Sequence, residues 1–64
     1  MNANAKLYCN MIEMIEKKRN KILVIRKKEK NKSLRKLEDE YIKKYDELLL
    51  EKLRNLEKML EEDQ

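Results

Sequence analysis

Residues 26–33 read RKKEKNKS, and this stretch decides the fold because the chain has its best opportunity to turn back on itself there. It contains no apolar side chain and ends in Asn31-Lys32-Ser33, the most turn-prone tripeptide in the sequence. Apolar residues at helical spacing come before it and after it. We therefore predict a polar, basic turn or linker at residues 26–33 between two helices.

The composition predicts an all-α protein. The 64 residues include no glycine and no proline, which most readily interrupt helices. Lys, Glu, Leu, Arg and Met dominate, and all five favour the helix. We predict one helical domain over residues 1–64, with a frayed N-terminus at 1–4 and helices at about 5–29 and 34–62 that form an antiparallel hairpin.

A chain of this length buries only about 60% of its surface on folding, so a lone core is marginal. We therefore expect the hairpin to self-associate into a helical bundle or coiled coil. The apolar residues at helical spacing give the predicted packing positions: Ile12, Ile15, Ile22, Leu34, Leu37, Tyr41, Leu48 and Leu56. Asn2 or Asn4 is the predicted cap of the first helix, and Ser33 that of the second.

One continuous helix in a coiled coil is the alternative architecture. An apolar column repeats every eleven residues straight through the expected turn, and an eleven-residue period suits nearly straight helix packing. A single helix of this length would be about 85 Å long. The polar gap at 26–33 favours the hairpin, because a hairpin lets the second helix cover the first. The column consists of Ile12, Leu23, Leu34, Tyr45 and Leu56.

Residues 17–36 form a basic block that predicts an anionic partner. The block holds eleven Lys or Arg residues against the single acid Glu29, whereas residues 1–16 sum to −1 and residues 37–64 to −5. Such asymmetry indicates binding to an acidic protein, and a nucleic-acid-associated coiled coil is a further hypothesis. The block lacks the aromatic residues that stack on bases. The predicted partner-binding residues are Lys17, Lys18, Arg19, Ile22, Leu23, Arg26, Lys27, Lys28, Arg35 and Lys36.

The sequence offers little for catalysis or metal binding. It has no histidine and one cysteine, Cys9, so neither an internal disulfide nor a zinc site is expected, and we predict no metal and no cofactor. The acids at 38–40 are consecutive and point around a helix instead of into one site. A lone thiol agrees with a reducing cytoplasm, and no membrane span is predicted because the longest apolar run is four residues. A non-enzymatic interaction or regulatory module is the leading hypothesis.

Two segments resemble the small aspartyl-phosphate phosphatases of spore-forming bacteria, which are short helical hairpins acting on the sporulation response regulator. Ile15-Glu16-Lys17-Lys18-Arg19 followed by Ile22 is similar to that family's first-helix pattern. The segment 39–45, from Asp39 to Tyr45, is similar to its second-helix segment. The family's Ser-Gln-x-Leu-Asp pattern is matched here only at its last position, Asp39.

The resemblance implies a regulatory phosphatase whose partner is a response-regulator receiver domain. By analogy with the family, Asp39 would position the water that attacks the aspartyl-phosphate, within an acidic pocket whose metal belongs to the partner. Arg35 and Lys36 would attract that pocket. This phosphatase activity is the second functional hypothesis.

Overall fold

The protein is a two-helix antiparallel hairpin. The computed structural model describes residues 3–62, in which helix α1 spans Ala3–Lys28 and helix α2 spans Lys32–Glu62. The long dimension of the chain is 49 Å, far short of the length expected of one continuous helix. The predicted hairpin is therefore confirmed, and the chain turns inside the predicted polar stretch.

The turn is closed by the side chain of Asn31. Its Oδ1 accepts hydrogen bonds from the backbone N–H of Ser33 at 2.9 Å and of Leu34 at 3.2 Å. These contacts satisfy two of the N–H groups that the first turn of a helix leaves without partners. The prediction of Ser33 as the cap was wrong by two residues, because α2 already begins at Lys32 and an amide oxygen at position 31 reaches both N–H groups.

At the other end of the turn, α1 finishes in a cluster of cations that complements its dipole. Arg26, Lys27 and Lys28 occupy its last turn, where the exposed carbonyl groups carry partial negative charge. The N–H of Glu29 bonds to the carbonyl of Arg26 at 3.3 Å. No residue within 3–62 has a positive φ, so this connection dispenses with the left-handed residue at which many helices end.

The N-terminus of α1 lies earlier than predicted. Ala3 and Asn4, which we expected to be frayed, belong to the helix, so Asn4 lies inside α1 and not at its cap position. The alternative cap, Asn2, lies outside the described residues.

The two helices meet along one line of contact, which we call the seam. Its shielded residues recur every seven positions, the spacing at which one helix keeps the same side toward a neighbour. Among the described residues, only Ala5 is fully buried. The seam residues of α1 are Ala5, Tyr8, Ile12, Ile15, Arg19, Ile22 and Arg26, and those of α2 are Glu38, Ile42, Tyr45, Leu49, Lys52, Leu56 and Met59.

Two ion pairs give the register of the seam. Arg19 bonds to Asp46, and Arg26 Nε lies 2.7 Å from Asp39 Oδ1. The two ion pairs are separated from each other by seven residues along each helix, which is the repeat of the seam. Farther from the turn, this register places Ile12 of α1 opposite Leu53 of α2.

The structure divides the predicted packing residues into two groups. Ile12, Ile15, Ile22, Leu48 and Leu56 are half-buried between the helices. Leu34, Leu37 and Tyr41 are 46%, 46% and 47% exposed in the single chain. The difference arises because each of the three exposed residues stands one position before a position of the seam's seven-residue repeat, namely 35, 38 and 42, and so lies beside the seam and not in it.

Replacing Asn31 should test the cap. We expect Asn31→Ala to lower the free energy of unfolding by about 1 kcal/mol, because two N–H groups lose their acceptor. Asn31→Asp should retain the stability, since a carboxylate accepts the same bonds and complements the positive end of the α2 dipole. Ser33→Ala is the matched control and should have little effect. Urea unfolding followed by circular dichroism measures all three, and equal losses in Asn31→Ala and Ser33→Ala would contradict the assignment.

Candidate functional site

The candidate site is the basic tip, residues 27–36, at the closed end of the hairpin. It carries six Lys or Arg residues against the single acid Glu29. The register of the ion pairs brings Lys28, the last residue of α1, level with Leu37. The first turn of α2 therefore projects beyond the end of α1, and its side chains are accessible on most sides.

Most cations of the basic block are exposed and without an ion pair. Within residues 3–62 only Arg19 and Arg26 of the eleven cations at 17–36 form ion pairs, which leaves nine without one. All nine are exposed. Among them Arg35 is the most constrained, because its Nε donates a hydrogen bond to the carbonyl of Glu29 at 2.8 Å. The nine cations without an ion pair are Lys17, Lys18, Lys21, Lys27, Lys28, Lys30, Lys32, Arg35 and Lys36.

Arg19 and Arg26 differ from the other predicted binding residues because each forms an ion pair between the two helices. Both side chains reach across the seam to Asp46 and Asp39, with Arg26 contacting both carboxylate oxygens of Asp39. The hydrogen bond to Asp39 is the main reason that the pKa of Arg26 lies above its ordinary value. Because the pairs are partly exposed, each contributes modestly to stability. Their main consequence is to fix which residues of the two helices face each other.

The apolar quartet at 22–25 is divided between the seam and the outside. Ile22 and Leu23, both predicted to bind a partner, are half-buried against α2. Val24 and Ile25 are 53% and 54% exposed. The exposed apolar surface beside the basic block therefore comes from Ile25 and Val24 and not from the pair that we predicted.

A pair of acids, Glu29 and Glu38, lies under the basic tip. Both oxygens of the Glu38 carboxylate are shielded from water and accept no hydrogen bond, although the side chain as a whole is only half-buried. Loss of hydration is the main cause that raises the pKa of Glu38, and the nearby carboxylate of Glu29 raises it further. A proton between the two carboxylates would provide the missing hydrogen bond. The positive charge of Arg26 lowers the pKa of Glu38, but by less than the other causes raise it.

The raised pKa of Glu38 predicts a gain in stability on mild acidification. The folded protein holds this proton more tightly than the unfolded chain, so the contribution of Glu38 to stability rises as the pH falls through the folded pKa. This contribution is fully present below the pKa that Glu38 has in the unfolded chain, and it is lost as the pH rises through the pKa that Glu38 has in the folded protein. Glu38→Gln should stabilise the hairpin at neutral pH, because it removes a dehydrated charge, and should flatten the pH dependence.

Glu40→Gln is the control for that experiment, since it removes the same charge from an exposed position two residues away. Urea unfolding of both variants and the unmodified chain, from neutral to mildly acidic pH, measures the effect. A Glu38→Gln variant with an unchanged pH profile would show that the acid pair does not govern it.

Other chemistry is sparse in the described part of the chain. Cys9 is a half-buried free thiol. No group of His, Cys, Asp and Glu within residues 3–62 is arranged to hold a metal ion. Neither described helix is long and apolar enough to cross a membrane. A surface depression runs along α2, but a single helix provides its whole lining, so a ligand would find no second wall there.

Sequence reasoning missed several features of the site. Lys30 and Lys32 are exposed members of the basic tip that the list of predicted binding residues left out. The position of these two lysines inside the basic block of the sequence was sufficient to identify them. The Glu29–Glu38 pair and the ion pair of Arg26 with Asp39 depend on the register between the helices, for which the sequence carries no local signal.

The comparisons with known proteins identify no relative. The chain matches no protein-family model, no curated protein and no solved structure.

Proposed function

We propose that the protein is a helical interaction module that binds an acidic protein segment through its basic tip and self-associates through its exposed apolar residues. The observation that carries the proposal is the set of nine exposed cations without an ion pair, six of which lie in the basic tip. Holding six like charges at one end of a small hairpin costs stability through repulsion, and an acidic partner would relieve it. Opposite charge also speeds encounter and discriminates against basic surfaces.

Apolar residues next to the basic tip provide the second element of the proposed partner surface. Leu34 and Leu37 are both 46% exposed, and Ile25 is 54% exposed. Charges at the rim of an interface add mainly to the rate of binding, whereas buried apolar anchors add affinity. A segment with carboxylates around one or two large apolar side chains therefore matches this surface best.

Self-association is supported by the lack of a core in the single hairpin. Ala5 is the only fully buried apolar residue, and ten large apolar residues within 3–62 are at least 41% exposed. Two long helices with so little shielded surface have a marginal stability of their own. A dimer that covers these residues would provide the missing apolar burial.

Neutralising the tip should weaken binding to an acidic peptide. The quadruple variant Lys28→Gln, Lys30→Gln, Lys32→Gln and Lys36→Gln should bind a fluorescent polyglutamate peptide roughly tenfold or more weakly at low salt, because the contacts are mainly electrostatic. Fluorescence anisotropy over a salt series measures this. The control removes four exposed lysines elsewhere, at Lys6, Lys43, Lys44 and Lys58, and should bind almost as well as the unmodified chain.

Equal weakening in the two quadruple variants would mean that net charge, and not the tip, determines binding. A parallel titration with single-stranded DNA separates the nucleic-acid hypothesis. Tighter binding of DNA than of the peptide at the same salt concentration would favour that hypothesis over an acidic protein.

Regulatory dephosphorylation of a response regulator is a second proposed function. The hairpin architecture is the observation in its favour, since the resembled phosphatases are also helical hairpins. Asp39 is 56% exposed, and it is held by Arg26 at 2.7 Å, so this ion pair would have to open before Asp39 could position a water.

The matched variants Asp39→Ala and Asp46→Ala test this second function, because each removes one of the two ion pairs across the seam. Only Asp39→Ala should abolish phosphate release from a phosphorylated receiver domain, while the helicity of both variants stays the same. Unchanged release in Asp39→Ala would remove the hypothesis.

A further inference from the structure

Six of the exposed apolar residues form a surface that we call the apolar flank. Leu7, Met14 and Ile25 of α1 are 57%, 59% and 54% exposed. On α2 the flank continues with Leu34, Leu37 and Tyr41, each just under half exposed. Together they extend over much of the length of the hairpin.

Helix geometry places the two halves of the flank on one side of the hairpin. Residues of α1 that are seven or eighteen positions apart share nearly one direction, as Leu7, Met14 and Ile25 do. At 100° per residue, the flank residues of α1 precede the seam of that helix by about a third of a turn, and those of α2 precede theirs by about a sixth of a turn. Because the helices are antiparallel, offsets in the same rotational sense on both helices point to the same side.

The opposite side of α2 is polar near the tip. Asp39 and Tyr41 are two residues apart and so lie about 200° apart around α2. Asp39 bonds to Arg26, and Asp46, one heptad farther on, bonds to Arg19. Toward the turn the ion pairs thus occupy one side of α2 and the flank residues the other, whereas farther along α2 the ion-pair side continues with Leu53 and Leu60, which are 48% and 41% exposed.

The charges of the hairpin are separated along its length in a way that suits a second copy. The half next to the turn, residues 17–48, has thirteen Lys or Arg against six acids, a net charge of +7. The open half, residues 1–16 and 49–64, has four against seven, a net charge of −3. Two hairpins side by side with their turns at opposite ends bring unlike halves together. Two hairpins with their turns at the same end bring +7 against +7.

We propose that a second copy of this chain packs on the apolar flank with its turn at the opposite end, forming a four-helix bundle. Each basic half then lies beside the acidic half of the other copy. This arrangement rests on the proposed self-association and specifies its surface and its orientation. An acidic protein partner would still find exposed cations at each end of the bundle, since the charge of the turn half exceeds that of the open half. The second copy would cover Ile25, Leu34 and Leu37, so a partner that binds these apolar residues would compete with the dimer.

The size of the face agrees with a stable dimer. The hairpin measures 49 × 14 Å across its broad side, roughly 690 Å² in projection. A standard interface buries about 800 Å² on each partner. The broad side that carries the flank therefore has an area of the right order, with flank residues of α1 along its length and those of α2 next to the turn.

The double variant Leu37→Gln and Tyr41→Gln tests the surface. Gln favours the helix and adds no charge, so the change removes mainly apolar contact area. We expect the dimer dissociation constant to rise roughly a hundredfold, because both large apolar side chains would be buried against the second copy. The control, Val24→Gln with Leu50→Gln, alters two residues that are 53% and 50% exposed on the outer sides of the two helices and should leave the dimer intact. Sedimentation velocity over a range of concentrations and salt measures both variants.

A distance measurement tests the orientation without disturbing the flank. Ser33→Cys in a Cys9→Ser background places one spin label at the exposed tip of each copy. With turns at opposite ends, the two labels should be separated by nearly the 49 Å length of the hairpin. With turns at the same end, they would be about 20 Å apart, the width of two helices. Double electron–electron resonance distinguishes the two.

The outcomes separate this inference from the self-association on which it rests. A chain that is monomeric at every concentration overturns both. A dimer with labels about 20 Å apart keeps self-association and overturns the opposed orientation. A dimer that Val24→Gln with Leu50→Gln disrupts as strongly as Leu37→Gln with Tyr41→Gln places the contact on another face.

Discussion

The two helices contact each other along a single line, and this narrow contact limits how much apolar surface the hairpin can bury. A pair of helices can shield only a narrow strip of each from water, and within residues 3–62 the strip contains one fully buried residue, Ala5. Toward the open end the seam is mainly apolar, with Ile12, Ile15 and Leu56, whereas toward the turn Arg19, Arg26 and Glu38 alternate with Ile22 and Ile42. The closed end is therefore held by hydrogen bonds and ion pairs, which respond to salt and pH more than apolar contacts do.

The sequence was sufficient for the architecture and insufficient for the detail of the contact between the helices. The absence of Gly and Pro and the polar stretch at 26–33 determine the helices and the turn, because both are local properties. The cap was misplaced because Asn31 and Ser33 are both good acceptors, and only the geometry of the chain selects between them. The exposure of Tyr41 and the pairing of Arg26 with Asp39 depend on register, which no short segment encodes.

Apolar residues beside the seam link the fold to the proposed assembly. The seam follows a seven-residue repeat, so apolar residues at neighbouring positions, such as Leu34, Leu37 and Tyr41, emerge on one side of the hairpin. The apolar residues that are left exposed in one hairpin form the surface on which, in the proposed assembly, the second chain packs. The separation of charge along the hairpin then favours one orientation of that second chain over the other.

The manner in which the turn is closed has a consequence for how the tip can change over time. Two side chains accept hydrogen bonds in the turn: Asn31 from the N–H groups of Ser33 and Leu34, and Glu29 from the N–H of Asn31. The side chains of Lys30 and Lys32 take part in none of these bonds and in neither ion pair across the seam. Selection can therefore change the charge of the tip at these two positions without removing a contact that closes the turn.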